Sequence, residues 1–160
     1  MIRLPLCLAF FVGVVFTVSA QKVYQKNYDP QQLLISEGWM QSHKKQNYWY
    51  FYHPNGKIKA EGHYTENVKT NYWIFYNYNG KKEKEGRFLQ NKKSGWWLFY
   101  DKNQNIEHKC QLKDNLKNGF CLIYKNEVLV AASKYKSGKK LKEWTNFADF
   151  KRDNKLSNLK

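Results

Sequence analysis

Residues 49–62 read WYFYHPNGKIKAEG, and this stretch decides the fold. Aromatic residues dominate its first half, and aromatic and β-branched residues favour strands. The Asn55-Gly56 pair that follows is the strongest short-range signal for a β-hairpin, because both positions of a type I′ turn require a positive φ. The stretch therefore predicts two antiparallel strands joined by a turn at Asn55-Gly56, and a helix is disfavoured because the apolar pattern has period two.

The same pattern returns every 24 residues along the chain. Four frames begin at positions 37, 61, 85 and 109, and a partial fifth frame keeps the spacing with Tyr135, Gly138, Trp144 and Phe147. A fixed period of this size indicates stacked supersecondary units in place of a conventional globule. We therefore expect an all-β antiparallel meander of about five stacked β-hairpin repeats, with the repeat domain at residues 37–147.

The turns also predict which residues share a face of the sheet. An Asn55-Gly56 turn places Trp49 opposite Gly62, and a polar loop at 65–70 places Gly62 opposite Trp73 and Tyr64 opposite Asn71. One predicted face, called the tryptophan face below, carries the repeated tryptophans together with Phe51, Ile58, Ala60, Tyr64 and Phe75. The other, called the tyrosine face, carries Tyr48, Tyr50, Tyr52, Tyr72, Tyr76, Trp96, Tyr100 and Tyr124, with Lys57 and Lys59 on the returning strand.

A glycine recurs opposite the tryptophans of the repeat. Any side chain there would collide with an indole ring, and the ring in turn covers the backbone that the glycine leaves exposed. We therefore interpret these positions as structural: Gly38, Gly62, Gly86, Trp49, Trp73, Trp97 and Trp144.

The repeated pattern Tyr/Phe-x₂-Asn-x₅-Trp-x₂-Tyr-x₂-Asn-Gly-Lys, ending in Glu-Gly, resembles the MORN-repeat variant of bacterial proteins, which includes the YwqK-type antitoxin-like repeat proteins. The resemblance covers residues 37–147. It implies a run of β-hairpins in a single curved sheet. For activity it implies a surface for protein contacts and, in some members of the family, for anionic lipid.

The N-terminus has the pattern of an export signal. Arg3 precedes an apolar run from Leu4 to Val18, and Val18-Ser19-Ala20 supplies the small residues that signal peptidase requires. We expect cleavage near Ala20 and export to the periplasm, the outer envelope or the medium; retention of the segment as an anchor is the alternative. Residues 21–36 are predicted to cap the first hairpin, with a helical turn at 30–34, and residues 148–160 to form a C-terminal tail that frays from Lys151.

Two cysteines remain after that cleavage, Cys110 and Cys121. In the fourth frame they occupy the glycine and tryptophan positions, so they should face each other on adjacent antiparallel strands. Facing cysteines can reach disulfide distances, and disulfides persist in exported proteins. We predict a Cys110–Cys121 disulfide, and two buried thiols are the alternative. The spacing is not that of a zinc site.

No catalytic or cofactor-binding pattern is present in the sequence. The histidines, at 43, 53, 63 and 108, occupy different positions of the repeat, so they predict neither a catalytic cluster nor a metal site. The glutamates Glu37, Glu61 and Glu85 recur on the lysine-rich face, where they are interpreted as cross-strand partners of lysines. We therefore expect a protein that is not an enzyme and needs no cofactor.

Composition narrows the choice of partner. The 160 residues carry 28 Lys and Arg against 13 Asp and Glu, a formal charge of +15. Only three of the basic residues are Arg, which disfavours a nucleic-acid partner, because Arg is the residue that reads phosphates and base edges bidentately. The leading hypothesis is a scaffold that binds another protein of the cell envelope through the tyrosine face. The alternative is attachment of the lysines to anionic membrane or polysaccharide.

Overall fold

The computed structural model describes residues 21–154, which form one open antiparallel sheet of 11 strands in sequential order and a short C-terminal helix. The all-β meander expected from the sequence is therefore confirmed. The predicted signal peptide at 1–20 and the last residues of the predicted tail, 155–160, lie outside the described residues. No helix within 21–154 is long and apolar enough to cross a membrane.

In chain order the elements are β1 (Val23–Tyr28), β2 (Leu34–Gln41), β3 (Lys44–Tyr52), β4 (Ile58–Thr65), β5 (Val68–Tyr76), β6 (Lys82–Leu89), β7 (Lys92–Tyr100), β8 (Ile106–Lys113), β9 (Leu116–Lys125), β10 (Val128–Lys136), β11 (Lys139–Trp144) and α1 (Phe147–Asp153).

The two kinds of turn differ in length from those expected: the Asn-Gly turn is longer than predicted, and the polar loop is shorter. At the Asn55-Gly56 turn only Gly56 has a positive φ, of 79°, and the loop is closed by the bond from Gly56 N to His53 O. This is the three-residue hairpin loop that ends in a left-handed residue. The predicted loop at 65–70 is instead a two-residue turn in which Glu66 and Asn67 both have a positive φ, so β4 and β5 extend further than predicted.

Bulges at both ends of the hairpins change the predicted register locally. Trp49 is paired with Gly62 and Gly62 with Trp73, as expected, but Tyr64 is opposite Lys69 and not Asn71. The reason is that the pairing slips after Gly62, where Asn71 takes a left-handed conformation with φ 56°. A second bulge pairs Ile58 with Tyr52 and leaves Lys59 as the extra residue. Ile58 therefore lies on the tyrosine side of the sheet, contrary to the prediction.

The largest side chains of the core lie on the tryptophan face. Trp49, Trp73 and Trp97 are completely buried and pack with Tyr64 and Phe88 in one cluster, although a single layer of sheet surrounds them. Each indole N–H donates to a backbone carbonyl next to a bulge, at 3.0 Å for Trp49 to Trp39 O and 3.1 Å for Trp97 to Arg87 O. The tryptophans thus satisfy carbonyl groups at the point where the ladder of strand hydrogen bonds is interrupted.

The C-terminal region differs from the prediction. Asn146 caps α1 by accepting a bond from Ala148 N at 2.8 Å, and the helix continues through Lys151 to Asp153, where a frayed tail was expected. Phe150 is buried against Phe120 and Trp144, with ring centroids 5.7 and 5.3 Å apart. Trp144 is paired with Ala132 and belongs to this second cluster on the tyrosine side. Trp144 therefore does not continue the column of Trp49, Trp73 and Trp97, as the sequence spacing had suggested.

The N-terminal region also adds a strand to the sheet. β1 pairs with β2 along its whole length, so the predicted cap at 21–36 is itself a hairpin. The expected helical turn at 30–34 is wrong. Asp29 closes a tight turn there, because its carboxylate accepts bonds from Gln31 N and Leu33 N, at 2.9 and 2.8 Å.

Neighbouring two-residue turns are tied together by asparagine side chains. Asn67 Oδ1 accepts from Lys45 N at 2.7 Å, Asn91 Oδ1 from Lys69 N at 2.7 Å, and Asn115 Oδ1 from Lys93 N at 2.8 Å. The backbone N–H of Asn91 donates back to Lys69 O at 3.1 Å. Asparagine suits this role because it tolerates a positive φ and carries a side-chain acceptor.

We expect Asn91→Ala to lower the free energy of unfolding by about 1–2 kcal/mol, since alanine disfavours the left-handed backbone and leaves Lys69 N without its acceptor. Asn91→Asp, which keeps both features, should recover most of that loss. Asn103→Ala is the matched control, because Asn103 lies exposed in a turn without a positive φ. Urea unfolding measures all three, and equal losses for Asn91→Ala and Asn103→Ala would contradict the role of the side-chain bond.

Candidate binding surfaces

The structure divides the predicted tyrosine face into an open part and a covered part. Trp96 and Tyr124 pack against the cluster around α1, so they are not free to meet a partner. Lys59 sits in a bulge beside Ala60 and lines a groove of the opposite face, which removes it from the surface where it was predicted. Lys57 lies exposed in the turn region and donates to Asn79 O at 3.0 Å. The open part consists of Tyr48, Tyr50, Tyr52, Tyr72, Tyr76 and Tyr100, mostly half-buried.

Glutamates hold three tyrosines of this face in place. Tyr52 donates to Glu37 and Tyr76 to Glu61, each at 2.5 Å, and Tyr100 donates to Glu85. The lysines predicted as partners of these glutamates lie farther away than the tyrosines. Lys26 lies 3.4 Å from Glu37, and Lys82 lies 3.0 Å from Glu85. The series stops in the fourth repeat because Lys109 replaces the glutamate, and its ammonium lies over the Trp96 ring instead.

These contacts shift the acid–base behaviour of the tyrosines. Burial, and then the Glu61 carboxylate, raise the pKa of Tyr48 to about 12. Burial and the hydrogen bond to a glutamate raise the pKa of Tyr52, Tyr76 and Tyr100 further. The hydrogen bond from Tyr52 in turn lowers the pKa of Glu37. The phenols of Tyr48, Tyr52, Tyr76 and Tyr100 therefore stay neutral donors well above physiological pH.

Alkaline titration should detect the raised pKa of these tyrosines in the folded protein. In the unfolded chain a tyrosine ionises near pH 10, whereas Tyr48 in the folded protein does so near 12. The raised pKa stabilises the folded state fully below about pH 10, and this stabilisation is lost as the pH rises through the folded-state value. We expect part of the phenolate absorbance of the folded protein to appear only well above pH 10, with Tyr48→Phe removing one tyrosine from that part. Complete ionisation of the folded protein near pH 10 would contradict this.

The histidines do not form a site. His63 is half-buried beside Tyr48, with ring centroids 4.8 Å apart. Its Nδ1 is buried with no hydrogen bond from the part of the chain that the structure describes. His53 Nε2 lies 3.0 Å from Tyr76 O, His43 is exposed in a turn, and His108 lies opposite Phe99. Within residues 21–154 no three His, Cys, Asp or Glu side chains converge on a possible metal position.

The sequence analysis missed a row of lysines on the tryptophan face. Lys45, Lys69 and Lys93 each lie half-buried above a buried indole, at 4.8 Å from Trp49, 4.4 Å from Trp73 and 4.7 Å from Trp97. We call these three residues the lysine row. Burial lowers the pKa of all three, and repulsion from Lys45 and Lys93 lowers that of Lys69 further. None of the three forms a salt bridge within the described chain.

Two of these lysines lie in aromatic cages. The Lys45 ammonium also lies 5.1 Å from the Phe51 ring and 5.3 Å from Tyr64, and that of Lys69 lies 5.7 Å from Phe75 and 5.3 Å from Phe88. The aromatic rings attract the cations and hold the side chains in position without neutralising their charge.

A recurring residue could have revealed the row. Lysine occupies positions 45, 69, 93 and 117, the same place in all four repeats, while its neighbours vary. The prediction of a long loop at 65–70 concealed it, because only a two-residue turn places Lys69 in a strand. Lys117 continues the pattern in the fourth repeat and lies 4.9 Å from the Tyr135 ring.

Comparisons with known proteins assign the chain to no family. No family model matches the chain, and no curated protein matches it. Among solved structures it is similar to a chain of the GtfA/B complex bound to UDP and GlcNAc, at 12% identity and a TM-score of 0.46 over 95% of this chain and 29% of that one. It is also similar to a chain of accessory secretory proteins 1, 2 and 3 of Streptococcus pneumoniae, at 12% identity and 0.41 over 86% and 23%. The protein spans less than a third of either chain.

Proposed function

We propose that the protein is an exported, non-catalytic scaffold of the MORN-repeat type that binds another protein of the cell envelope through the open part of its tyrosine face. The observation that carries this proposal is the series of Tyr–Glu hydrogen bonds, which fixes phenol rings in a half-exposed row across three repeats. Tyrosine offers a large contact area at a low entropic cost, and a ring that is already fixed loses little freedom on binding.

The charges of this face also suit a protein partner. The carboxylates of Glu37, Glu61 and Glu85 lie among the tyrosines, so the surface is not uniformly basic despite the charge of the whole chain. Aromatic rings with a few fixed polar groups are typical of the central part of a protein interface. Export rests on the N-terminal sequence pattern and on a disulfide between Cys110 and Cys121.

Site-specific crosslinking tests the proposal directly. A photoreactive residue at Tyr72, which is 41% exposed, should crosslink one protein of the native envelope; the same residue at Tyr78, 56% exposed in a turn, should not. The contact should survive about 0.5 M salt, because an aromatic interface depends little on screened surface charge. Equal labelling from both positions, or attachment to anionic vesicles that salt abolishes, would overturn it in favour of a charge-driven surface.

A further inference from the structure

The lysine row lies on the side of the sheet opposite the tyrosine face, and no carboxylate of the described chain forms a salt bridge with it. Glu83 and Glu107 occupy in β6 and β8 the bulge position that Lys59 has in β4. Neither forms a salt bridge with Lys45, Lys69 or Lys93, and the charges that act on Lys69 are those of Lys45 and Lys93. The acids Glu37, Glu61 and Glu85 lie on the opposite side, bonded to tyrosines. The carboxylates of the tyrosine face therefore do not neutralise the charge of the lysine row.

Nothing within residues 21–154 covers the row. Helix α1 packs on the other side of the sheet, against Phe120, Leu122 and Trp144. A groove of about 460 Å³ runs beside Lys69, with a floor of Phe51, Tyr64 and Phe75. One carboxylate, that of Asp29, lines this groove, and it is already bonded to the backbone of its own turn.

Aromatic rings follow one another beneath the lysines, with the half-buried rings of Phe51 and Phe75 between the completely buried tryptophans. Trp49, Phe51, Trp73, Phe75 and Trp97 follow one another with centroid separations of 6.2, 6.1, 6.0 and 6.1 Å. The surface thus alternates the cations of the lysine row with the half-exposed rings of Phe51 and Phe75, and it matches a ligand that alternates apolar groups with anionic ones.

The interval between the lysines identifies that ligand. Lys45, Lys69 and Lys93 lie on β3, β5 and β7, two strands apart, which corresponds to about 9.5 Å across a sheet. In a polyproline II helix every third side chain points the same way, and three residues span about 9.3 Å. A β-strand repeats its side chains at about 6.7 Å and two turns of α-helix at about 10.8 Å, and neither matches as well.

We propose that the lysine row binds an acidic segment of another protein in the polyproline II conformation, lying across the strands with a carboxylate at every third residue. Each carboxylate meets one lysine, and the residues between them, proline above all, pack on the half-exposed rings of Phe51 and Phe75, as in other aromatic grooves that bind this conformation. The surface is separate from the tyrosine face, so this inference stands or falls independently of the function proposed above.

Synthetic peptides provide the probe. A peptide of repeated Glu-Pro-Pro should quench the fluorescence of the protein's tryptophans and bind more tightly, by about tenfold, than a peptide of the same composition whose glutamates form one block. The triple variant Lys45→Gln/Lys69→Gln/Lys93→Gln should lose most of this affinity, by about thirtyfold. The triple variant with Arg at these positions should bind like the original protein.

The control variant removes the same charge elsewhere. Lys102→Gln/Lys113→Gln/Lys125→Gln changes three exposed lysines and should bind within about twofold of the original protein. The comparison of the two peptides uses the protein without substitutions. Equal affinity for both peptides would therefore overturn the proposal whether or not the variants fold. Equal losses in both triple variants, or tighter binding of anionic vesicles or polygalacturonate than of the peptide, would also overturn it.

Discussion

Gly62→Ala should strongly destabilise the protein, although Gly62 lies in a strand and has no positive φ. A Cβ at this position would lie 2.3 to 2.5 Å from three ring atoms of Trp73, a separation that non-bonded atoms do not reach. The Trp73 side chain is completely buried, with its indole N–H bonded to His63 O and Thr70 O, so the ring cannot move aside without losing those bonds. We expect a loss of about 3 kcal/mol, at the upper end of the usual cost of overpacking a core.

A double-mutant cycle isolates the cause. Trp73→Ala alone should cost about 3–5 kcal/mol, as the loss of a buried tryptophan does elsewhere. Adding Gly62→Ala to that variant should cost almost nothing more, because the ring that the new methyl group would strike has gone. Urea unfolding measures the four proteins of the cycle. A Gly62→Ala protein within about 0.5 kcal/mol of the original, or two losses that simply add, would contradict the contact.

The same geometry recurs at two other glycines. A Cβ at Gly38 would lie 2.4 Å from Trp49, and one at Gly86 would lie 2.5 Å from Trp97. In each case the ring atoms nearest to the added Cβ belong to the tryptophan of the following strand. Since the contact repeats, Gly86→Ala should match Gly62→Ala in its effect, and this provides an internal check on the value measured at Gly62.

The sequence predicted the strands well because alternating residues and glycine–tryptophan pairs fix both the class of the fold and the central register. Those pairs lie in the middle of the strands, where register cannot slip without turning the whole core outward. The bulges could not be predicted in the same way. An extra residue such as Lys59, or a left-handed residue such as Asn71, shifts the pairing by a step that leaves the 24-residue spacing unchanged.

The binding surfaces were predicted less completely than the fold for the same reason. The tyrosine face follows from period-two alternation, and most of its members lie where alternation places them. The position of Lys69 in the lysine row depends on whether the turn before it has two residues or six. The structure has the two-residue turn, in which Glu66 and Asn67 both have a positive φ. Helix α1 depends on a long-range contact, the burial of Phe150 against Phe120, which has no counterpart in the repeat pattern.

Reduction of the Cys110–Cys121 disulfide should loosen the C-terminal half of the sheet before the N-terminal half. The two Cα atoms are 3.9 Å apart on directly paired strands, and both side chains are buried, 1% and 2% exposed. They stand where the first three repeats have glycine and tryptophan, so here a covalent bond replaces the packing of a large ring. Closing a loop with 10 intervening residues, 111–120, stabilises a fold by roughly 2–3 kcal/mol in the chain-entropy account.

Hydrogen exchange can resolve where that stability resides, because repeat proteins open locally and each unit depends on its immediate neighbours. In the form of the protein that begins at Gln21, reductant should speed exchange in β8 to β11 and in α1 well before it affects β3 to β6. The double variant Cys110→Ser/Cys121→Ser should show the fast pattern from the start and ignore reductant, which controls for effects of the reagent itself. Two thiols that react in the denatured but unreduced protein, or acceleration spread evenly over all strands, would show that the fourth repeat is held together without the bond.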